Sequence, residues 1–352
     1  MRRIQSKQIT GNEVLAKDIY TRSGVILISA GTVLKKEYIG KLQELGITDI
    51  FVQDEISKEI SLEQITEEKI GYQCMEQVRT MIEKFSYSTA REMQKLLGVM
   101  TEVMDDILSQ EQIVYNISNV RDKSQSLYEH SLSVASLAML TAVHAGYNKK
   151  EIREIAMGAI LHDIGFCSVK EPFQDVILEE APEKVKKEIK RHVIYGYMEV
   201  EKQDWLSKTA KDIILYHHER LDRSGYPFRI QPDKMSKEVR LVAICDAFDC
   251  MVYGNLQKRM KVYEAMEYII SMSKTMFDVE LTKIFASSVA AYPTGSMVIT
   301  NTGKTGLVIR QNKMAPTRPV IRILEKQEGD HWVPGEEKNL MEELTLFILD
   351  TI

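Results

Sequence analysis

The stretch "ILYHHERLDRSGYP", residues 214–227, carries two adjacent histidines at the end of an apolar run, then an acid, two arginines and Gly-Tyr-Pro. Taken alone it is a helix end followed by a turn. Ile213 and Ile214 lie one turn before His217 and His218, so both imidazoles extend the buried side of that helix. Rings buried in this way need partners, and the same helical periodicity supplies them elsewhere in the chain.

In "HSLSVASLAML" (130–140), His130 shares a face with Val134, Leu137, Ala138 and Thr141. In "EIREIAMGAILHDIG" (151–165), Ile152, Ile155, Ala156, Ala159 and Ile160 form an apolar stripe, and His162-Asp163 closes the helix before Gly165. "VRLVAICDAFDCMV" (239–252) is apolar nearly all round, which marks a central helix, and Asp246 sits in its middle. With His192, five histidines and two aspartates turn inward on successive helices. Few inward lysines or arginines are present to neutralise the acids. A buried carboxylate is costly unless it is paired or bound to metal. A lone histidine on an apolar face is an ordinary core residue, but a divalent metal resolves the joint pattern, because imidazole and carboxylate are ligands of intermediate hardness.

The intervals are 32 residues from 130 to 162, 29 from 163 to 192, 25 from 192 to 217 and 28 from 218 to 246. Each is about one helix plus a loop, so in an antiparallel bundle the helix ends meet in one layer. Seven ligands are too many for one ion and suit two ions bridged by one carboxylate. Paired metals are a recurrent engine of phosphoester cleavage.

The remaining chain frames this site. At 352 residues there is room for two or three domains, and 44% apolar with 28% charged residues is ordinary for a globular protein. A net charge of -5 argues against a bulk grip on a nucleic-acid polymer or an anionic membrane. No apolar stretch of signal-peptide length follows "MRRIQSKQIT", and "SVASLAMLTAV" is too short to span a bilayer. Cys74, Cys167, Cys245 and Cys250 lack paired spacing and read as reduced thiols of a cytoplasmic protein, with Cys245 and Cys250 in the core. There is no HExxH, no serine or cysteine nucleophile motif and no basic stripe, which weakens protease and DNA-binding readings.

Residues 1–55 read as a small α+β domain. Its "GVILISAGTVL" (24–34) suggests a hairpin, "KKEYIGKLQELGI" (35–47) a helix capped by Gly46, and "TDIFVQD" (48–54) a strand. Residues 56–117, clearest in "EMQKLLGVMTEVMDDIL" (92–108), read as a helical connector or a homodimer seam. Residues 118–290 form a helical bundle. Residues 291–352 form a small β-rich domain, with strands in "GSMVITNTGKTGLVIRQ" (295–311), "RPVIRILEK" (318–326) and "LTLFILD" (344–350).

The ordered set "EHSLSVASLA", "AILHDIG", "RHVIYGY", "HHERLDRSGYP", "RLVAICDAFDCM" and "FDVELTKIF" resembles the HD-GYP family of the HD phosphohydrolase superfamily, over residues 120–290. The flanking regions more weakly resemble segments attached to such domains in Gram-positive bacteria. The resemblance implies a mainly α, HD-type bundle, bound iron or manganese, and hydrolysis of cyclic di-GMP to pGpG and GMP. It implies that His130, His162, Asp163 and Asp246 hold one metal and that Asp163 bridges to a second held by His192, His217 and His218. A hydroxide between the metals would then attack phosphorus in line. Asp249, one turn after Asp246, is either a support for a ligand or a solvated acid. Tyr226 either lines the pocket or packs. Glu219, Arg220 and Arg223 either meet phosphate or face solvent.

Several positions depart from the family pattern. Phe166 stands where the family has a phosphate-holding Lys, with Lys170 nearby. Arg223 stands where it has Gly, and Asn255 where it has Arg, with Lys258, Arg259 and Lys261 close by. Ser126 replaces the Glu that accompanies a third metal, so two metals are expected. The tail lacks the arginine motif of the PilZ receptor family. The expected ligand set is whole and the phosphate grips are altered; one lost charged contact costs about 1.5–3 kcal/mol of binding. A phosphodiesterase of cyclic di-GMP is therefore the leading reading. The alternatives are a degenerate module binding a cyclic dinucleotide or protein partners, and a phosphodiesterase of another cyclic dinucleotide.

Overall fold

The computed structural model describes residues 1–20, 26–44, 47, 49–54, 56–57, 127–173, 176–312, 315–326 and 332–352. The expected helical connector and the proposed Gly46 cap lie outside the described residues, apart from Ile56 and Ser57, and so does Ser126. The chain divides into two compact units. One takes in described residues of Met1–Ile65 and Val289–Ile352, the other those of Gln125–Ser288.

In the first unit, strands β1 (Arg2–Gln5), β5 (Asp49–Gln53) and β2 (Val14–Leu15) form an antiparallel sheet in the order β1-β5-β2, with Arg2 opposite Val52. Strand β3 (Ile19–Tyr20) pairs with β4 (Ile26–Ile28), and helix α1 (Tyr38–Glu44) buries Leu42. The two runs of "GVILISAGTVL" therefore do not form a hairpin with each other. The first pairs back to β3, while Val33 bridges to Val14. Ile4, Leu15, Leu34, Leu42, Ile50 and Val52 make the core.

The C-terminal segment forms a five-stranded antiparallel sheet in the order β10-β6-β7-β8-β9: β6 (Met297–Thr300), β7 (Thr305–Arg310), β8 (Val320–Lys326), β9 (Trp332–Asn339) and β10 (Ile348–Thr351). Three stretches of the sequence point to strands here, and β9 is the addition. Its Pro334 and Gly335 are poor strand formers, tolerated because β9 is an edge strand. The chain ends, expected as separate domains, share this unit. Arg3 N–H donates to the Gly295 carbonyl at 3.0 Å, and Ile56 packs with Leu307 and Leu324.

The second unit contains eight helices among the described residues: α2 (Leu127–His144), α3 (Lys149–Leu161), α4 (Glu183–Lys190), α5 (His192–Val200), α6 (Lys208–Tyr216), α7 (Lys237–Tyr253), α8 (Val262–Ser271) and α9 (Val279–Ser288). Asn148 starts α3 with a capping box, its side chain accepting from the Lys150 and Glu151 N–H groups while Glu151 reaches back. Ser236 caps α7, and Gly254 ends it in the left-handed conformation. Helices α2 and α7 are buried through most of their length, as their apolar patterns require. Among the described residues, no helix is long and apolar enough to cross a membrane.

A short 3-10 turn (Ile164–Ser168) follows α3 and lies against α5. Gly165 makes that approach possible, because a Cβ there would overlap the His192 carbonyl oxygen and crowd the Gly196 amide. Replacing Gly165 by Ala should therefore destabilise the helical unit by about 1–3 kcal/mol. Chemical denaturation would show this as a lower midpoint.

Candidate metal centre

Five helices bring their chemistry-bearing residues to one place. His130 comes from the first turn of α2. His162 ends α3 and Asp163 follows it; His192 opens α5. His217 ends α6 with His218 next, and Asp246 sits in the middle of α7. All are buried except His218, whose side chain is 14% exposed.

Four of the imidazoles have their Nδ1 atoms committed outward. His162 Nδ1 lies 2.7 Å from the Ala159 carbonyl, and His192 Nδ1 lies 2.7 Å from the Ile189 carbonyl. His217 Nδ1 lies 3.1 Å from the carbonyls of both Ile213 and Ile214. His130 Nδ1 lies 2.7 Å from Asp249 Oδ2. These partners only accept, so each Nδ1 carries a proton and donates it. Each Nε2, in the neutral ring, then presents a lone pair.

Those lone pairs converge. His130 and His162 Nε2 are 3.1 Å apart, and His192 and His217 Nε2 are 3.4 Å apart. Asp163 sits between the two pairs. Its Oδ2 is 3.3 Å from His162 Nε2 and 3.4 Å from His130 Nε2; its Oδ1 is 3.2 Å from His192 and 3.6 Å from His217. Asp246 Oδ1 is 3.3 Å from His130 Nε2, and its Oδ2 is 3.4 Å from His218 Nδ1. Asp163 Oδ1 and Asp246 Oδ2 are buried without a hydrogen-bond partner. Acceptors that face acceptors in a water-poor interior are costly unless a proton or a metal ion lies between them. Two of these clusters, Asp163 with His192, His217 and His218, and His130 with His162 and Asp163, have donor atoms close enough to hold a metal ion.

The protonation preferences of His217 and His218 agree. Burial pushes His217 down to about 4 and, with His217 beside it, pushes His218 well below the usual histidine range. Both are neutral and able to ligate at neutral pH. Burial works against ionised Asp163, but His162, His192 and His217 outweigh it and hold its pKa well below the usual carboxylate range. Asp246 is lowered too, again against burial, by His218, His130 and His162. Burial also works against a charged His130, yet Cys250, Asp246 and Asp249 push it well above the ordinary value. The buried acids stay anionic and draw positive charge onto their neighbours.

A surrounding layer holds these groups in place. Asp249 is 1% exposed, so it is not a solvated acid; it anchors His130 through Oδ2 and accepts from the Ser133 hydroxyl through Oδ1. Glu219 is fully buried, and its Oε1 accepts from the Phe228 and Arg229 N–H groups at 2.8 Å each, tying down the chain after Gly-Tyr-Pro. Gly225 lets that loop close, since a Cβ would overlap the His218 carbonyl. Tyr226 stacks on His218 with ring centroids 4.7 Å apart and meets His192 edge-on. Ser133 and the buried role of Glu219 escaped the sequence reading. The spacing of Ser133 from His130, one turn on the same helix, is the signal that could have found it.

The charged residues expected to meet phosphate are exposed. Lys170 is exposed; Lys258 is exposed and pairs with Glu180 at 2.8 Å. Arg223 is exposed and donates from Nε to the Arg229 carbonyl at 3.1 Å. Phe166 is buried, with its ring stacked on His192 at 4.2 Å and 10°.

Comparison with known proteins accounts for this arrangement, since residues 127–251 match the HD domain family. This chain contains an HD domain. Residues 297–352 match the KOW domain associated with HD domain. The chain is 26% identical over 230 residues to the cyclic di-GMP phosphodiesterase PA4108 of Pseudomonas aeruginosa, covering 64% of this chain and 54% of that protein. It is 28% identical over 178 residues to 3'3'-cGAMP-specific phosphodiesterase 2 of Vibrio cholerae, covering 49% of this chain and 33% of that one. It thus spans about half or less of these relatives. Among solved structures, Bd1817, an HDG"Y"P protein from Bdellovibrio bacteriovorus, shares the fold. It aligns with a TM-score of 0.51 at 15% identity, over 80% of this chain and 97% of that one.

Two outcomes are expected at the edge of the HD domain's cluster. Asp249→Ala frees the His130 ring to turn, and should weaken metal binding by about 10–100-fold in a competition titration. Arg223 sits at φ 64°, in the left-handed region that favours glycine. Arg223→Gly should raise stability by about 1 kcal/mol, measured by denaturant unfolding, with metal content unchanged.

Proposed function

We propose that this chain is a metal-dependent phosphodiesterase of cyclic dinucleotides, with cyclic di-GMP as substrate and pGpG, then GMP, as products. One observation carries the reading: four imidazoles with committed Nδ1 protons aim Nε2 at the two oxygens of one buried carboxylate. That donor set fits two divalent ions, iron or manganese, with Asp163 shared. His130, His162 and Asp246 would complete one side, and His192, His217 and His218 the other. When bound, such ions lower the pKa of water and neutralise charge on a phosphoryl group.

The chain's own residues do the rest. Asp163 fixes the separation of the two halves. Asp249 and the backbone carbonyls fix the ring tautomers, so that no reorganisation is needed on binding. Tyr226, stacked on His218, walls the entrance. Phe166 covers His192 and keeps water from that side. The substrate class is supported by relatives whose names specify cyclic di-GMP and cGAMP.

A second reading has its own observation. The ring of Phe166 fills a place where a cationic contact to phosphate is expected, so a module that binds a cyclic dinucleotide without cleaving it follows naturally. The purified chain loaded with manganese or iron(II) should convert cyclic di-GMP to linear products, and Asp163→Ala should lower the rate at least about 100-fold while losing metal. Metal bound at two equivalents with nucleotide bound but uncut would favour the second reading. Faster turnover of cGAMP in the same assay would reassign the substrate.

A further inference from the structure

Cys250 has a setting that its place in an apolar helix does not predict. It lies on α7, one turn beyond Asp246 and on the same side of the helix. It is 9% exposed. Its Sγ is 3.4 Å from Asp246 Oδ1 and 3.9 Å from His130 Nε2, and those two atoms are 3.3 Å from each other. Donor pairs around one ion sit roughly 3–4 Å apart when bonds to nitrogen or oxygen are about 2.0–2.2 Å and bonds to sulfur about 2.3 Å. The three atoms meet that condition as a set, and together they form a third cluster able to hold a metal ion. The second observation is Asp246 itself. It is 1% exposed, its Oδ1 faces the thiol, and its Oδ2, on the side of His218, has no hydrogen-bond partner. Cys245 provides an internal contrast. It is fully buried on the same helix, but it faces Thr141 and belongs to none of the clusters.

We propose that Cys250 Sγ is a ligand of the ion that His130 and Asp246 would hold, so that one half of the centre has mixed sulfur, nitrogen and oxygen donors. The inference rests on the metal-centre reading above and adds a ligand to it. Burial and the Asp246 carboxylate keep the free thiol protonated. On coordination the S–H bond breaks, a sulfur–metal bond forms and the proton leaves to solvent, which offsets one unit of the ion's charge. A thiolate is a soft donor and biases this half toward iron(II), cobalt(II) or zinc and away from manganese or magnesium. The other half has only nitrogen and oxygen donors, so the two halves should differ in metal preference.

The test uses the full chain, stripped of metal and reloaded with cobalt(II). The wild type and Cys245→Ser should show a near-ultraviolet sulfur-to-cobalt charge-transfer band. Cys250→Ser should bind cobalt without that band, and its preference for cobalt over manganese should fall on the order of tenfold. X-ray absorption on the cobalt-loaded wild type needs no variant, and should show a sulfur neighbour. Cobalt uptake with only nitrogen and oxygen neighbours, or a band that survives in Cys250→Ser, overturns the role of Cys250 and leaves the metal centre standing. Failure of the wild type to take up cobalt, iron or manganese overturns both.

Discussion

The carboxylate of Asp163 is the constraint around which the helical unit is arranged. It is 3% exposed and remains anionic. Among the described residues, no lysine or arginine pairs with it; its neighbours are the Nε2 atoms of four histidines. A buried anion is costly unless its neighbours carry positive charge, and removing one partner of a buried charged group typically costs several kcal/mol. The arrangement is stable only if positive charge joins it. The rest of the helical unit makes the geometry for that charge repeatable.

The design is economical in its use of helix ends. His162 and His217 sit at the C-terminal ends of α3 and α6, where the last carbonyls lack helical partners. Each ring donates Nδ1–H to one of those carbonyls, or to two in the case of His217. His192 uses the Ile189 carbonyl at the end of α4 in the same way. One bond thus fixes a tautomer and aims a ligand. His130 begins a helix and has no such carbonyl, so Asp249 takes that part and is itself held by Ser133. Glu219 does the equivalent for the loop, receiving two backbone N–H groups.

Much of this was legible in the chain because it is written in helical periodicity. The faces of His130 and Asp246, the closure at His162-Asp163 and the pair at His217-His218 all follow from the 3.6-residue repeat. What the repeat does not carry is the direction of a side chain beyond its helix face. Glu219 and Arg223 are close in sequence and similar in polarity, yet one is fully buried and the other exposed. The difference is set by which backbone groups the returning loop leaves unpaired. At the chain ends the difficulty is of another kind. Pairing of β4 with β3, and the union of both ends in one unit, depend on long-range contacts that no local pattern records. Strand β9 hides behind Pro334 and Gly335, which only an edge position tolerates.

Phe166 carries a consequence for how an anion would be captured. A lysine at such a place reaches into solvent and draws anions from a distance, an attraction that dissolved salt weakens within about 10 Å at moderate ionic strength. An aromatic ring against His192 has no such reach, and a chain of net charge -5 adds no compensating field. What cationic attraction remains near the centre comes from groups such as Lys190, whose Nζ lies 5.2 Å from the centroid of the Tyr226 ring. Capture of an anion at this centre would then lean on a cation held over an aromatic ring rather than on a lysine beside His192.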